Sequence, residues 1–227
     1  MHQFERAEAE KRIAKNAAAM IDEMAGGRSF VLNLGVGIPS LISSHIRNEN
    51  VYIEAENGML GVGPHATRED RDWNIINAGR QIVTETPGCC YLSSEDSFGM
   101  MRGGHIDATV LGAFSVDKDA HISNWIIPGG EQLGVGGAMD LVTGCKKVIV
   151  AMTHRHKDGS LRLIDRYILP VTGFFEVDYV VTEYCMMRHE HGRFVCFAIA
   201  EEITLDELRS VTEFEFDLDP DLKMMLK

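Results

Sequence analysis

The sequence has 227 residues, 45% of them hydrophobic, enough to bury one substantial core, and this length favours one domain over two. Its 22 Lys+Arg against 34 Asp+Glu leave a net charge of −12, which argues against the clustered positive surface that a nucleic acid or an anionic membrane requires. No apolar run approaches the roughly 20 residues of a membrane helix, and the five cysteines (Cys89, Cys90, Cys145, Cys185, Cys196) are odd in number and lack C-x-x-C spacing.

The opening, residues 1–24, is charged and Ala-rich rather than a basic stretch followed by an apolar one, so it does not read as a secretory signal. A reduced, cytoplasmic setting is expected. Ile13, Ala17, Met20, Ile21 and Met24 recur at helical spacing, which predicts a helix over Phe4–Met24 stopped by Gly26-Gly27. Phe30–Leu34 reads as a buried strand running into Gly35-Val36-Gly37. Pro39 suits the first turn of a short helix to about Ile46. A second strand, Val51–Ala55, ends in Glu56-Asn57-Gly58.

Further along, Ile106–Phe114, Lys147–Met152, Tyr179–Cys185 and Arg193–Ile199 are β-rich runs. Thr204-Leu205-Asp206-Glu207 is a capping box opening a helix to about Val211. Residues 213–221 read as an edge strand followed by a solvated acidic tail, within 213–227. Strands alternating with helices across glycine turns predict an α/β fold, an open and mainly parallel sheet with flanking helices, in one domain over 1–227 with its core at about 5–217.

Ligands of such sheets sit beyond the carboxyl ends of strands. Glu56 stands there, followed by Gly58, Gly61 and Gly63, so a substrate is expected to approach it closely; a turn with a solvated Glu is the plain alternative. Gly134-Val135-Gly136-Gly137-Ala138 precedes the apolar helix start Met139-Asp140-Leu141-Val142, where free N–H groups attract negative charge, or where a loop simply packs closely. In Ser97–Asp107, Arg102 is a candidate anion contact and His105 a candidate acid or base, with a helix end and a strand entry as their structural readings. His154-Arg155-His156 leads into a hairpin turn at Lys157-Asp158-Gly159 and lacks zinc spacing, so no metal is expected. Met100-Met101 and Met186-Met187 read as core filler.

In this order Asn33-Leu34-Gly35-Val36-Gly37-Ile38-Pro39, Glu56-Asn57-Gly58, Asn77-Ala78-Gly79, Arg102–Asp107, Asn124-Trp125-Ile126-Ile127-Pro128-Gly129 and Gly134–Val142 resemble the B subunit of the 3-oxoacid (family I) CoA-transferases, of acetoacetate/succinyl or butyrate–acetoacetate type. The resemblance covers roughly residues 5–217. It implies the CoA-transferase/sugar-phosphate isomerase-like fold and a ping-pong transfer of CoA between small carboxylic or 3-oxo acids. Glu56 would be the nucleophile that carries a glutamyl–CoA thioester. It also implies that Gly136 and Gly137 donate to an oxyanion, and that Asn33 and Asn57 belong to the oxyanion- and substrate-binding set. Coenzyme A would be a substrate, with no tightly bound cofactor and no metal. An A subunit would complete the site in a heterodimer doubled into a heterotetramer, with acyl-CoA and small acids as the other partners.

Three departures stand out. Ala55 replaces a serine, which predicts a missing hydroxyl beside Glu56. Gly130-Glu131-Gln132-Leu133 replaces a loop that often carries lysines, and Arg80 replaces a lysine. The rival functions are a CoA-ester hydrolase, which needs no acceptor acid, and a sugar-phosphate isomerase or ligand-sensing domain, which needs a cationic phosphate clamp.

Overall fold

The computed structural model describes residues 2–129 and 134–227. The segment Gly130-Glu131-Gln132-Leu133 lies outside the described residues. From the amino end the elements are α1 (Arg6–Ala25), β1 (Phe30–Leu34), α2 (Ile38–Leu41, continued by a 3₁₀ turn, Ile42–Ser44), β2 (Val51–Ala55), β3 (Met59–His65) and β4 (Val83–Tyr91). Then come α3 (Ser94–Arg102), β5 (Ala108–Leu111), β6 (Ser115–Asp117), β7 (Ile122–Ser123), α4 (Ala138–Gly144) and β8 (Val148–Ala151). The chain closes with β9 (Leu163–Ile164), β10 (Tyr179–Val181), β11 (Cys185–Glu190), β12 (Arg193–Ile199), α5 (Leu205–Ser210) and β13 (Asp217–Met224).

Ten strands form one sheet in the order β13-β12-β11-β10-β8-β5-β1-β2-β3-β4. Its middle, from β10 to β2, is parallel, and every residue of β5 and β8 is buried, as strands covered on both faces must be. Antiparallel pairs extend it, β2-β3-β4 on one side and β10-β11-β12 on the other, with β13 parallel to β12 at the edge. Helix α1 packs on β8 and β10 through a stripe that includes Ile13, Ala17 and Ile21, none of them exposed; α4 packs on β5, and α3 on α4. A second sheet, ordered β7-β6-β9, stands beyond the carboxyl end of β5.

Several expectations are corrected. The run Tyr179–Cys185 is two antiparallel strands, because the Thr182 hydroxyl accepts from the N–H groups of Tyr184 and Cys185 and closes a turn. Ile106–Phe114 contracts to β5. Of the glycines after Glu56, Gly58 lies in the turn and Gly61 and Gly63 belong to the strand β3. The carboxyl end is not a solvated tail: β13 runs to Met224, Phe214, Phe216 and Met225 are buried, and the Asn16 side chain exchanges two hydrogen bonds, both 2.9 Å, with the backbone of Leu226.

Candidate active site

The parallel strands β1, β5 and β2 point their carboxyl ends to one edge, and the site begins there. Asn33, on β1, is fully buried, with Thr109 of β5 and Glu54 of β2 as its neighbours across the sheet. Past β2 the chain reverses through Glu56-Asn57-Gly58 into β3. Only glycine fits at 58: its φ is +111°, and a Cβ would stand 2.2 Å from the Leu92 carbonyl oxygen. Gly61 and Gly63 likewise let β3 press against Cys89 and Thr84 of β4. These glycines admit a neighbouring strand rather than a substrate, and by doing so they fix the half-buried Glu56 at the sheet edge.

One amide organises the carboxylates. Asn33 Nδ2 donates to Glu54 Oε2 at 2.9 Å and to Glu56 Oε2 at 3.2 Å, using both of its protons. Asn33 Oδ1 accepts from the Thr109 hydroxyl at 3.1 Å, which sets the orientation of the amide. The Ser97 hydroxyl of α3 donates to Glu54 Oε1 at 2.7 Å. Burial pushes the Glu54 carboxyl above the usual carboxylate range and the charge of Glu56 adds to the push, while the hydrogen bonds from Asn33 and Ser97 oppose it. Cys145, at the end of α4, is pushed up to about 12 by burial and then by Glu54.

Gly137 arrives from the other side as the residue before α4. A Cβ placed there would meet the Phe98 ring at 3.3 Å and Glu56 Cγ at 3.6 Å. Gly136, in the left-handed region at φ +55°, turns the chain into this approach. Among the described residues neither glycine N–H has an acceptor. The structure thus brings Asn33, Glu56 and Gly137 together, with Gly136 preceding Gly137 in sequence. Asn57 is exposed, and its Nδ2 donates to the Ile76 carbonyl at 2.8 Å.

Arg102 takes its structural reading: it ends α3, pairs with Asp140 at 2.7 Å and lies over the Phe98 ring, tying α3 to α4. His105 is exposed at the amino end of β5, the edge opposite Glu56. Ala55 faces away from the carboxylates, into a small apolar cluster with Met59, Val62 and Val83. A serine hydroxyl there would stand among apolar side chains. Glu54, Ser97 and Thr109 were not anticipated as site residues. The sequence signal for Glu54 is a charged residue inside an apolar strand two positions before Glu56, hence on the same face.

Asp117, Asp119 and His121 also bring ligand-type atoms within 4.8 Å of one another. The Asp117 carboxylate, however, already accepts from the N–H groups of Asp119, His121 and Tyr167 and contacts His121 Nδ1 at 2.9 Å. It organises a turn. A cavity of about 600 Å³ lies between α1 and the strands β10 to β13, away from Glu56.

The family profile for coenzyme A transferase matches residues 15–193. Succinyl-CoA:3-ketoacid coenzyme A transferase 2, mitochondrial, of Homo sapiens is 39% identical over 221 residues, covering 96% of this chain and 42% of the relative. The acetate CoA-transferase subunit beta of Escherichia coli is 39% identical over 216 residues, covering 95% and 96% respectively. The chain therefore spans less than half of the human relative and almost all of the bacterial subunit. Among solved structures, an acyl-CoA transferase of Escherichia coli superposes with a TM-score of 0.73 at 19% identity, over all of this chain and 45% of that one. That likeness shows a shared fold.

Proposed function

The chain belongs to the coenzyme A transferase family, and on that premise we propose that it is the B subunit of an enzyme that moves CoA from an acyl-CoA to a small carboxylic or 3-oxo acid through Glu56. The observation that carries the reading is the Glu56 carboxylate, gripped by one oxygen in the Asn33 amide at 3.2 Å and approached at its Cγ by Gly137.

The grip divides the labour between the two carboxylate oxygens. With Oε2 held by Asn33, Oε1 attacks the thioester carbonyl of the acyl-CoA. The carbon–sulfur bond breaks, CoA leaves as a thiolate, and an acyl–glutamyl anhydride remains. The thiolate then attacks Cδ of Glu56; the donor acid departs as its carboxylate and a glutamyl–CoA thioester is left. An incoming carboxylate reverses both steps, and Glu56 regains its charge, so protons and electrons balance throughout. Each attack builds an oxyanion. The N–H groups of Gly136 and Gly137 face the one on the substrate carbon, and Asn33 Nδ2 faces the one that grows on Oε2 of Glu56 itself.

The partner follows from the coverage of the relatives. The same stretch of sequence is one part of a longer human chain and nearly a whole subunit in Escherichia coli. That coverage supports an A-subunit partner; the heterodimer doubled into a heterotetramer, with the A subunit supplying most of the CoA contacts, is the assembly we propose from the family resemblance. Coenzyme A enters as a substrate.

The test is a panel of carboxylate acceptors (acetate, butyrate, acetoacetate, succinate, 3-oxoadipate) offered with acyl-CoA to the complex purified after co-expression with the A subunit. CoA should move only when an acceptor is present, and the separate chain should be inactive. CoA release without an acceptor would make the protein a hydrolase, and full transfer by the isolated chain would remove the partner.

A further inference from the structure

Glu54 has no place in the transfer chemistry, yet it is the most deeply buried carboxylate at the sheet edge, 1% exposed, and it shares a hydrogen-bond donor with the nucleophile. We propose that Glu54 is a positioning residue for Glu56: its carboxyl, tethered to Ser97 of α3, holds the Asn33 amide in the orientation that grips Glu56, and it does so in its neutral form. The inference rests on the function proposed for Glu56.

The geometry sets the requirement. An amide nitrogen has two protons, and here one goes to each carboxyl group, with Thr109 fixing the amide from behind. Were both carboxyl groups charged, two anions would flank one neutral donor, and neither has a cation among its hydrogen-bond partners among the described residues. Like charges at such separations cannot both ionise freely. The proton falls to the more deeply buried group, and burial favours the neutral form of Glu54. In that form Oε1 carries the proton and donates to the Ser97 hydroxyl, reversing the bond that Ser97 makes to the charged form, while Oε2 still accepts from Asn33. Other titratable groups close to Glu54 are the thiol of Cys145, held protonated by burial, and His65 of β3, which borders the same small cavity.

A neutral Glu54 has a consequence for the second half of the reaction. When the CoA thiolate attacks Cδ of Glu56, negative charge grows on Oε2, which faces Asn33. A charge on Glu54 would oppose that growth through the same amide; a neutral carboxyl leaves the amide free to respond. Glu54 thus favours the step that forms the thioester and has no contact with either substrate.

The experiment uses the complex with the A subunit and compares Glu54→Gln with Glu54→Ala. Gln keeps the shape, accepts from Asn33 and has no charge to acquire. Glu54→Ala should lower kcat about tenfold or more while the KM for acyl-CoA stays within about threefold, because a hydrogen-bonding partner of Asn33 is gone and substrate contacts are not. Glu54→Gln should restore kcat at neutral pH. Wild-type kcat should decline as pH rises through the titration of Glu54, above the ordinary carboxylate range, and Glu54→Gln should abolish that decline.

An infrared difference spectrum, wild type minus Glu54→Gln, gives a readout independent of turnover: a protonated-carboxyl C=O band should be present at neutral pH. Absence of the band, a Glu54→Gln variant as slow as Glu54→Ala, an alkaline limb unchanged in Glu54→Gln, or a folded Glu54→Ala with kcat within about threefold of wild type would each overturn the proposal. A wild-type complex that transfers no CoA would instead sink the proposed function, and the band would still decide the state of Glu54.

Discussion

Two buried polar clusters sit at the carboxyl ends of parallel strands in the same sheet, on either side of β5, and they have opposite designs. After β8, His154 is fully buried and every polar atom is matched inside the chain: Nδ1 to the Thr182 hydroxyl at 3.1 Å, Nε2 to the Val211 carbonyl at 3.1 Å, and the backbone N–H to Glu183 at 2.9 Å. The Val211 carbonyl can only accept, so Nε2 carries a proton, and burial disfavours a second one on Nδ1. At β1 and β2 the chain of bonds runs from Thr109 through Asn33 and ends on Glu56, which is half-buried and bounded by a glycine. A closed cluster has spent its hydrogen-bonding capacity on the fold. An open one retains a charged group that nothing within the described residues neutralises, and that difference separates a structural histidine from a candidate nucleophile better than residue type does.

The comparison breaks most sharply at Glu56. Glu56→Gln preserves shape and removes the attacking charge, so kcat should fall to background while the circular dichroism and association with the A subunit are unchanged. Near-normal turnover by this variant would put the nucleophile elsewhere.

Next comes the glycine wall. Gly137→Val places methyl groups against Phe98 and Glu56, where a Cβ alone already lies 3.3 Å and 3.6 Å away. Misplacing one oxyanion donor should lower kcat about a hundred- to a thousandfold. A loss of less than about tenfold with an unchanged fold would remove Gly137 from the oxyanion site.

The closed cluster should answer with stability instead of rate. Burial holds the His154 ring down to a pKa of about 4 against an ordinary 6.5. A depressed histidine pKa means that the unfolded chain binds more protons in that window. Its stabilising contribution is complete above pH 6.5 and is lost as the pH falls toward 4, by about 3 kcal/mol. His154→Leu should flatten that acid decline in denaturant titrations, lower stability at pH 7 by roughly 2–4 kcal/mol, and leave kcat within about twofold wherever the complex is folded. A selective loss of kcat would make His154 part of the chemistry.

The smallest effect is expected at Ala55, on the back of the same strand as Glu54. Ala55→Ser buries a hydroxyl among Met59, Val62 and Val83, which should cost roughly 1–3 kcal/mol of stability and shift kcat by only a small factor. A large change in kcat at undiminished stability would show that this face of β2 communicates with the site.

What was legible in the sequence divides along similar lines. The runs at Phe30, Val51, Val148 and Arg193 were readable as strands because they are short, mainly apolar and rich in β-branched and aromatic residues, and the capping box at Thr204 declares its helix locally. The strand β3 was not readable, since Gly61 and Gly63 look like loop residues until β4 is seen pressed against them. The break between β10 and β11 depended on a threonine hydroxyl turning back on the backbone. Glu56 was marked by its position at a strand end and by resemblance to a family. Glu54 was hidden, because its burial and its bond to Ser97 come from a helix more than 40 residues away in sequence, at a separation of 43. The apolar surroundings of Ala55 were hidden for a related reason: Met59, Val62 and Val83 reach it from β3 and β4.

The identity of the nucleophile is settled by chemical trapping. The wild-type complex, given acyl-CoA without an acceptor, should accumulate a glutamyl–CoA thioester on this chain. Borohydride should reduce it to an alcohol, and peptide mass spectrometry should locate the change at residue 56, with Glu56→Gln unlabelled. A label on any other residue, or turnover with no covalent species on this chain, would contradict the assignment of Glu56.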